Sequence, residues 1–590
     1  MAIGDKLQQG MQSTIGGMSQ AVDPALLQDH QYAMGLNVSS RRGLPHTRPV
    51  FKELGAVIPD GKFQGAFTYK LNEDHRIIFG VAGSVYSLKL SSLTVTKIAD
   101  SALSSTADHL YFVQADRYCI VQDGEPSSSW ANANWPVIIH EDSLIDQSAI
   151  SDEERCPKGA MMAYAHGRLF VAVNYVYTAG VGWSSNLGRS GWVAGDIIKA
   201  YDPESVLSFT ENTYLNEGGR IVMPAELGYI MGMGSQKNIV NSMGQGPLVV
   251  LGENGVAAYQ VNAPRDQWKD IDFGITMFSG VGMTSPHSLV NHNADLFYRA
   301  NDGIRSLADT SSKSGGGQGL SNDSISEEAV DILSLDDRST RLLTEMAIAN
   351  DRLFCVVVPD SNNTFRGLLS MDMSPVKAIS GSTPPIYDGV WTGLSVASIA
   401  SAQIADVEYL IIFAKKSSTE TSVLYLDESG YVDAISDSPV VRIYTGQKVF
   451  ESPFDIKKLK YVEVWLGDVI GSVILTGYWR FDDYEYWSKM TSVTLQSDSS
   501  GPGQRRKCVR LTKLDDVDND PITNDSLDTG FAVQFCIEMT GHATIRMARF
   551  VTEDTGVQDF NIAGDSSAEE LEEGDNTIEL NDYEYEVTLS

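Results

Sequence analysis

Apolar and polar residues alternate in short runs along most of the chain, and the runs come in pairs. Pro247-Leu-Val-Val-Leu-Gly-Glu-Asn-Gly-Val-Ala-Ala-Tyr-Gln-Val261 reads as two strands around a turn at Glu253-Asn254-Gly255, and residues 295–307 repeat the plan with Asn301-Asp302-Gly303 at the turn. Asn-Gly and Asp-Gly pairs favour the positive φ angles that tight hairpins need. Comparable units occupy residues 75–88, 109–121, 167–173 and 351–358, and residues 409–413 with a return strand at 423–426. A hairpin in each unit, with units about 40–50 residues apart, predicts propeller blades.

Two departures from that rhythm set the expected organisation. Ser324 and Glu327 form a capping-box pair ahead of an apolar face made by Ile325, Ala329, Ile332, Leu333, Leu342 and Leu343, which predicts a helical insertion broken at Asp336-Asp337-Arg338. From about residue 440 the runs 440–450, 459–465, 471–480, 507–511, 530–538 and 543–550 alternate as half-buried antiparallel strands do. The predicted fold is all-β: an irregular β-propeller with a helical insertion (56–439) plus a C-terminal antiparallel β-sandwich (440–555). An N-terminal arm (1–55) precedes them and an acidic tail (556–590) follows, with no Lys or Arg beyond Arg549.

The first fifty residues do not read as a blade. Asp23 is placed to cap one short helical turn begun by Pro24, and Gly43, Pro45 and Pro49 favour an extended path. This opening, Gly16-Gly17-Met-Ser-Gln20, then Asp23-Pro24 with a Leu-rich turn, then Asn37, Gly43 and Arg48-Pro49 leading into the first hairpin, resembles the start of the tail tubular protein B family, the tail nozzles of short-tailed bacteriophages. Residues 252–307 are similar to the propeller of that family. The resemblance implies a structural virion protein. In that family copies form a hexameric ring below an adaptor ring, prolonging the channel through which DNA is ejected, with tail fibres as further possible neighbours and folding in the host cytoplasm. An extended, Pro-rich arm is expected to dock to neighbouring copies or to the adaptor, so that its removal leaves a folded monomer unable to join tails.

Charge agrees with a wall past which DNA slides rather than a surface that holds it. Acidic residues number 77 against 44 basic, a formal charge of −33 over 590 residues, and affinity for phosphate rests on Lys and Arg. If acidic groups face the lumen, passing DNA meets weak repulsion. Five widely spaced cysteines, two of them (Cys355 and Cys536) inside apolar strand patterns, suit buried free thiols better than disulfides or zinc. No run of eighteen apolar residues occurs, and the start lacks a charged-then-apolar signal segment.

Candidate chemistry is thin. The common nucleophile, zinc-protease, phosphate-loop and paired-cysteine motifs are missing from the sequence, so no catalytic residue and no cofactor is expected. Asp516, Asp518 and Asp520 offer alternating carboxylates to Ca²⁺, although Pro521 and Leu527 stand where a helix-flanked calcium loop has Gly and Glu. Arg41, Arg42, Arg48 with Pro49, and Arg505 with Arg506, are basic clusters suited to docking an acidic partner. Trp130, Trp135, Trp183 and Trp192 in polar, Gly-rich stretches support an alternative, a tail-associated glycan-binding or depolymerase propeller, without the sialidase Asp-box.

Overall fold

The computed structural model describes residues 6–11, 16–71, 74–125, 132–148, 155–173, 175–178, 182–185, 191–196, 221–237, 245–262, 268, 274–292, 295–307, 324–358, 366–375, 385–431, 433, 439–450, 455–482, 484, 486–497, 507–513 and 529–554. Among these, small β-sheets follow one another around a ring. Blade one holds Phe63–Leu71, Asp74–Val81, Ser84–Lys89 and Thr94–Ala99; blade two runs from Tyr111–Ala115 to Ser143–Leu144; blade three from Gly159–Ala165 to Ile221–Val222; blade four from Ile230–Lys237 to Gly274–Ser279. Blade five has three strands, Val290–His292, Asp295–Arg299 and Ile304–Ser306. In blade seven Val396–Ile404, Val407–Lys415 and Thr421–Asp427 are joined by the N-terminal strand Val50–Glu53, which pairs with the outermost edge. Those six sheets are separate. The sector between blades five and seven, here blade six, is filled by Met346–Ala349, Arg352–Val357, Gly367–Asp372 and Ile386–Trp391, which begin a much larger sheet. Neighbouring blades touch mostly through their first strands, blade four meeting the middle strand of blade five, and blade seven lies against blade one, so the ring closes.

Each blade is buried on both faces, so its central strands are nearly continuous apolar runs, as in Leu353, Phe354, Cys355, Val356 and Val357. Sharp hairpins hold the blades together. Ala82-Gly83, His166-Gly167, Asn350-Asp351 and Ala405-Asp406 each place two consecutive residues at positive φ between paired strands, the backbone that matches strand twist. The expected Asn-Gly turn works differently: Gly255 is already in a strand, and neither Glu253 nor Asn254 has a positive φ.

The C-terminal sandwich is a two-stranded ribbon folded back on itself. Lys457–Phe481 pairs with Val533–Asp554 almost throughout, with register shifts between Gly467 and Ile474. At that bend Gly541 has a φ of 102°, and a Cβ there would lie 2.5 Å from the Ser472 carbonyl oxygen, so only glycine allows the crossing. One half of the ribbon is flanked by Lys507–Thr512 and Lys6–Met11, the other by Ser488–Gln496 and Val440–Thr445. The halves face each other across a core in which Phe535 and Phe550 stack with centroids 3.9 Å apart.

The helical insertion falls between blades five and six as a 3-10 turn, Glu327–Ala329, and two short helices, Val330–Ser334 and Arg338–Leu342. The predicted break is present, with Asp337 capping the second helix by accepting from Ser339 N and Thr340 N, both at 2.8 Å. The predicted capping box is not: Ser324 Oγ instead donates to Ile304 O and accepts from Ser326 N.

The N-terminal segment departs most from expectation. Gln31–Leu36 lies between the outer strand of blade six, with which it is parallel, and Val440–Thr445 of the sandwich, with which it is antiparallel. Lys6–Met11 pairs with the end of the sandwich ribbon, and His46–Thr47 touches its bend. The segment expected as a separate arm therefore joins propeller and sandwich into one sheet, and one apolar core runs from blade six through Tyr32 and Val38 to Val441 and Ile443. A strand edge left open inside a protein strands its N–H and C=O groups, at about 1–3 kcal/mol for each buried group. A chain lacking residues 1–49, which keeps the closing strand of blade seven, should lose its single cooperative melting transition and aggregate, as read by calorimetry and light scattering. A soluble monomer with an unchanged melting temperature would refute this.

Candidate functional site

Blades one, two, five, six and seven line a cavity of about 610 Å³. Its polar residues come from different blades and bind across the joints. His109, before the first strand of blade two, sets Nε2 2.7 Å from Glu345 Oε1, and the other oxygen of Glu345 accepts from Ile399 N at 2.7 Å on blade seven. One carboxylate thus ties blades two, six and seven. The His109 ring stacks on His287, centroids 4.0 Å apart, and the Tyr111 ring lies 5.0 Å from that of His287. Gly65 makes room: its φ is 111°, and a Cβ would stand 2.7 Å from His109 Nδ1.

The remaining polar groups behave alike. Gln114 of blade two exchanges two hydrogen bonds with the backbone of Lys70 in blade one, at 2.7 and 3.0 Å. Thr68 Oγ1 donates to Ser401 O at 2.6 Å, and Glu408 accepts from Asn350 N at 3.0 Å and from Ser401 Oγ at 2.8 Å. These groups lock neighbouring blades in register and spend their hydrogen bonds on that task. Among the described residues, no three His, Cys, Asp or Glu side chains are grouped so as to hold a metal ion. His292, also on this wall, is pushed below the ordinary histidine pKa by burial, with Asp351, Glu408 and Asp295 opposing the shift.

The predicted docking residues go to different places. Arg48 is 2% exposed: its guanidinium sits 2.7 Å from a carboxylate oxygen of Asp433, donates through Nε to Asn37 Oδ1 at 3.0 Å and through Nη1 to the carbonyl of Pro49 at 2.9 Å, and lies 4.2 Å from the Phe51 ring centroid. Burial lowers its pKa while Asp433 opposes the shift. Arg48 is a core residue and not a docking residue, and Pro49 serves as its acceptor. Arg41 donates to Glu428 at 3.0 Å and to Asn350 O at 2.8 Å, tying the N-terminal segment to blades six and seven. The backbone of Arg42 shares the 3-10 turn Arg41–Gly43. Arg505, Arg506, Asp516, Asp518 and Asp520 lie outside the described residues.

The tryptophans split likewise. Trp192 is buried within a cluster of Phe170, Tyr259 and Trp268, so it is blade packing and not a sugar platform. Trp135 is covered by Arg155 and Lys158, and Trp130 lies outside the described residues. Cys119, Cys156, Cys355 and Cys536 are free and buried, and desolvation raises each thiol pKa, to about 12 for Cys355 and Cys536, while Cys508 is exposed.

Sequence reading assigned no role to the groups at the seam itself. Asn37, at φ 53°, donates through Nδ2 to Val440 O at 2.9 Å and Thr392 Oγ1 at 3.1 Å, and accepts through Oδ1 from Thr392 N and Arg48 Nε. Asp388, buried in blade six, accepts from Ser40 N, Ser40 Oγ and Ser370 Oγ at 2.7–2.9 Å, with Arg352 Nη1 3.7 Å away. The available signal was Asn37 itself, an Asn between two strand-like runs, since Asn tolerates positive φ and bonds to backbone on both sides.

No family model matches the chain, and no curated protein matches it. Solved structures to which it is similar include a chain of the mitotic checkpoint complex (11% identity, TM-score 0.35, 65% of this chain and 95% of that one) and the β-propeller domain of Myceliophteria thermophila Cps50 (Swd1) (12%, 0.31, 64% and 99%). A Trypanosoma rangeli sialidase in complex with 2,3-difluorosialic acid is similar at 9% identity and a TM-score of 0.29, over 85% of this chain and 96% of that one.

His75, His292 and His542 are all pushed below the ordinary histidine value, burial being the largest cause. With folded pKa values below the unfolded value of about 6.5, the unfolded chain binds more protons, so this stability is complete above that pH and is lost as pH falls below it. The melting temperature should drop between about pH 7.5 and pH 5.5, and His292→Gln with His542→Gln should narrow the drop. An equal drop in the double variant would assign it to other groups.

Proposed function

We propose that this chain is a structural subunit of the tail of a short-tailed phage, a nozzle component that prolongs the DNA-ejection channel as a ring, hexameric in the family it resembles. One observation carries the reading: the residues that bear the family resemblance are the ones that this two-part architecture needs. Gly17 has a φ of 66°, and a Cβ there would stand 2.7 Å from the Tyr387 carbonyl oxygen; Asp23 accepts from Ala25 N at 2.8 Å; Gly43 has a φ of 80°; Asn37 and Arg48 anchor the seam. Gly17, Asn37 and Arg48 lie where propeller and sandwich are joined, which supports reading the similarity of this segment as more than a generic arm.

A nozzle subunit needs rigidity rather than turnover, and Glu345, Gln114, Thr68 and Glu408 of the cavity bond across joints between blades. We read the chain as a non-enzyme that meets an adaptor ring and its own copies, with tail fibres as further neighbours, and lets DNA pass without specific binding. The formal charge of −33 suits that passage, since counterion-release attraction needs basic residues at the wall.

Immunogold electron microscopy of particles from the source, with antibody to the purified chain, should place label at the distal end of a short tail. Label on lateral fibres, together with release of reducing sugar from host envelope polysaccharide, would replace this reading by the glycan-directed one. A chain missing from particles would remove both.

A further inference from the structure

Where the N-terminal strand meets the sandwich, the outer face of the joined sheet forms the floor of a groove of about 620 Å³, walled by the turn at Pro24, by Asp331 of the helical insertion and by Trp487. The floor carries Met34, Arg442, Tyr444 and Arg480. Arg442 gives Nε to Glu538 at 2.7 Å and lies beside the Tyr444 hydroxyl. Arg480 donates to Gln534 Oε1 at 2.9 Å and lies 4.8 Å from the Trp487 ring centroid, and Tyr444 meets Trp487 edge-on at 5.5 Å. Leu26 and Tyr486, neighbours of these walls, are 73% and 55% exposed. Arg, Trp and Tyr brought together in a partly desolvated groove are the composition of binding hot spots.

We propose that this groove binds the chain's own acidic C-terminal segment, residues 569–586. Charge is the first argument. Residues 555–590 hold eleven acidic residues and no Lys or Arg, while the described lining of the groove carries the guanidiniums of Arg442 and Arg480 and one carboxylate, Asp331, with Glu538 paired to Arg442. The second is chemistry: Asp582-Tyr-Glu-Tyr-Glu586 alternates carboxylates with aromatic rings, which suits a floor alternating guanidinium and aromatic groups. The third is position. Asp554, the last paired residue, is opposite Lys457, Lys457 is also opposite Gly530, and Gly530 packs against Phe481 and Asp482, next to Arg480. The chain therefore leaves the sandwich at the end where Arg480 and Trp487 stand. The roughly fifteen residues from there to Glu569 span up to about 50 Å when extended.

The test uses the full chain, a chain ending at Asp554, and a labelled synthetic peptide of residues 565–590. The peptide should bind the shortened chain, bind at least about tenfold more weakly after Arg442→Gln or in high salt, and show little binding to the full chain, whose groove its own segment fills. Amide hydrogen exchange in residues 440–445 and 486–496 should be faster in the shortened chain. If Arg442→Gln loses the cooperative melting transition, Trp487→Ala carries the same expectation. No binding to the shortened chain, binding unaffected by the folded variant, or equal binding to the full chain would overturn the proposal. Exchange protection of the full chain that disappears on dilution would place the segment in a second copy and overturn the intramolecular assignment.

Discussion

The insertion of Gln31–Leu36 between blade six and the sandwich is the constraint on which the rest depends. A sheet cannot end inside a protein without leaving backbone donors and acceptors unpaired, and here two domains each present an edge that one N-terminal strand satisfies. Asn37 then turns the chain out of that strand at positive φ while its side chain holds the first residue of the sandwich and the end of blade six. Arg48 and Asp433 close the seam as a buried pair, an arrangement in which losing either partner leaves an uncompensated charge and costs about 3–5 kcal/mol.

From this follows an order of assembly. Val50–Glu53 completes blade seven, which is otherwise made of residues beyond 395, and Lys6–Met11 completes one half of the sandwich ribbon. Ring and sandwich thus both await strands from the beginning of the chain that pair with residues hundreds of positions later. Contacts of such separation slow folding, because loop closure precedes the contacts that reward it. In exchange, propeller and sandwich are held together by one continuous sheet and one shared core.

How much of this the sequence reveals depends on the range of the interaction involved. Blades and sandwich strands announce themselves through period-two alternation and apolar runs, as in residues 353–357 and 533–537, because each strand's pattern reflects its own burial. The tight turns are less legible. Ala405-Asp406 and His166-Gly167 adopt paired positive φ under the pull of flanking strands, whereas Asn254-Gly255 does not, so turn chemistry alone misplaces them. The N-terminal segment is illegible for a related reason: its prolines, glycines and arginines have the composition of a solvent-facing arm, and the partners that bury Arg48, Asp433 and Asn37, are set by the tertiary fold. His109 and Glu345, some 236 positions apart, carry no local signature, and their pairing exists only once the ring closes.

The claim that the N-terminal strand is a structural member of both domains is most directly tested by native-state hydrogen exchange. Backbone amides of residues 31–36 should open only together with those of 386–391 and 440–445, sharing one free energy of opening and one denaturant dependence. If residues 31–36 instead exchanged early, while the outer strand of blade six and the first strand of the sandwich stayed protected, the segment would be an appended arm and the account of the fold given above would fail.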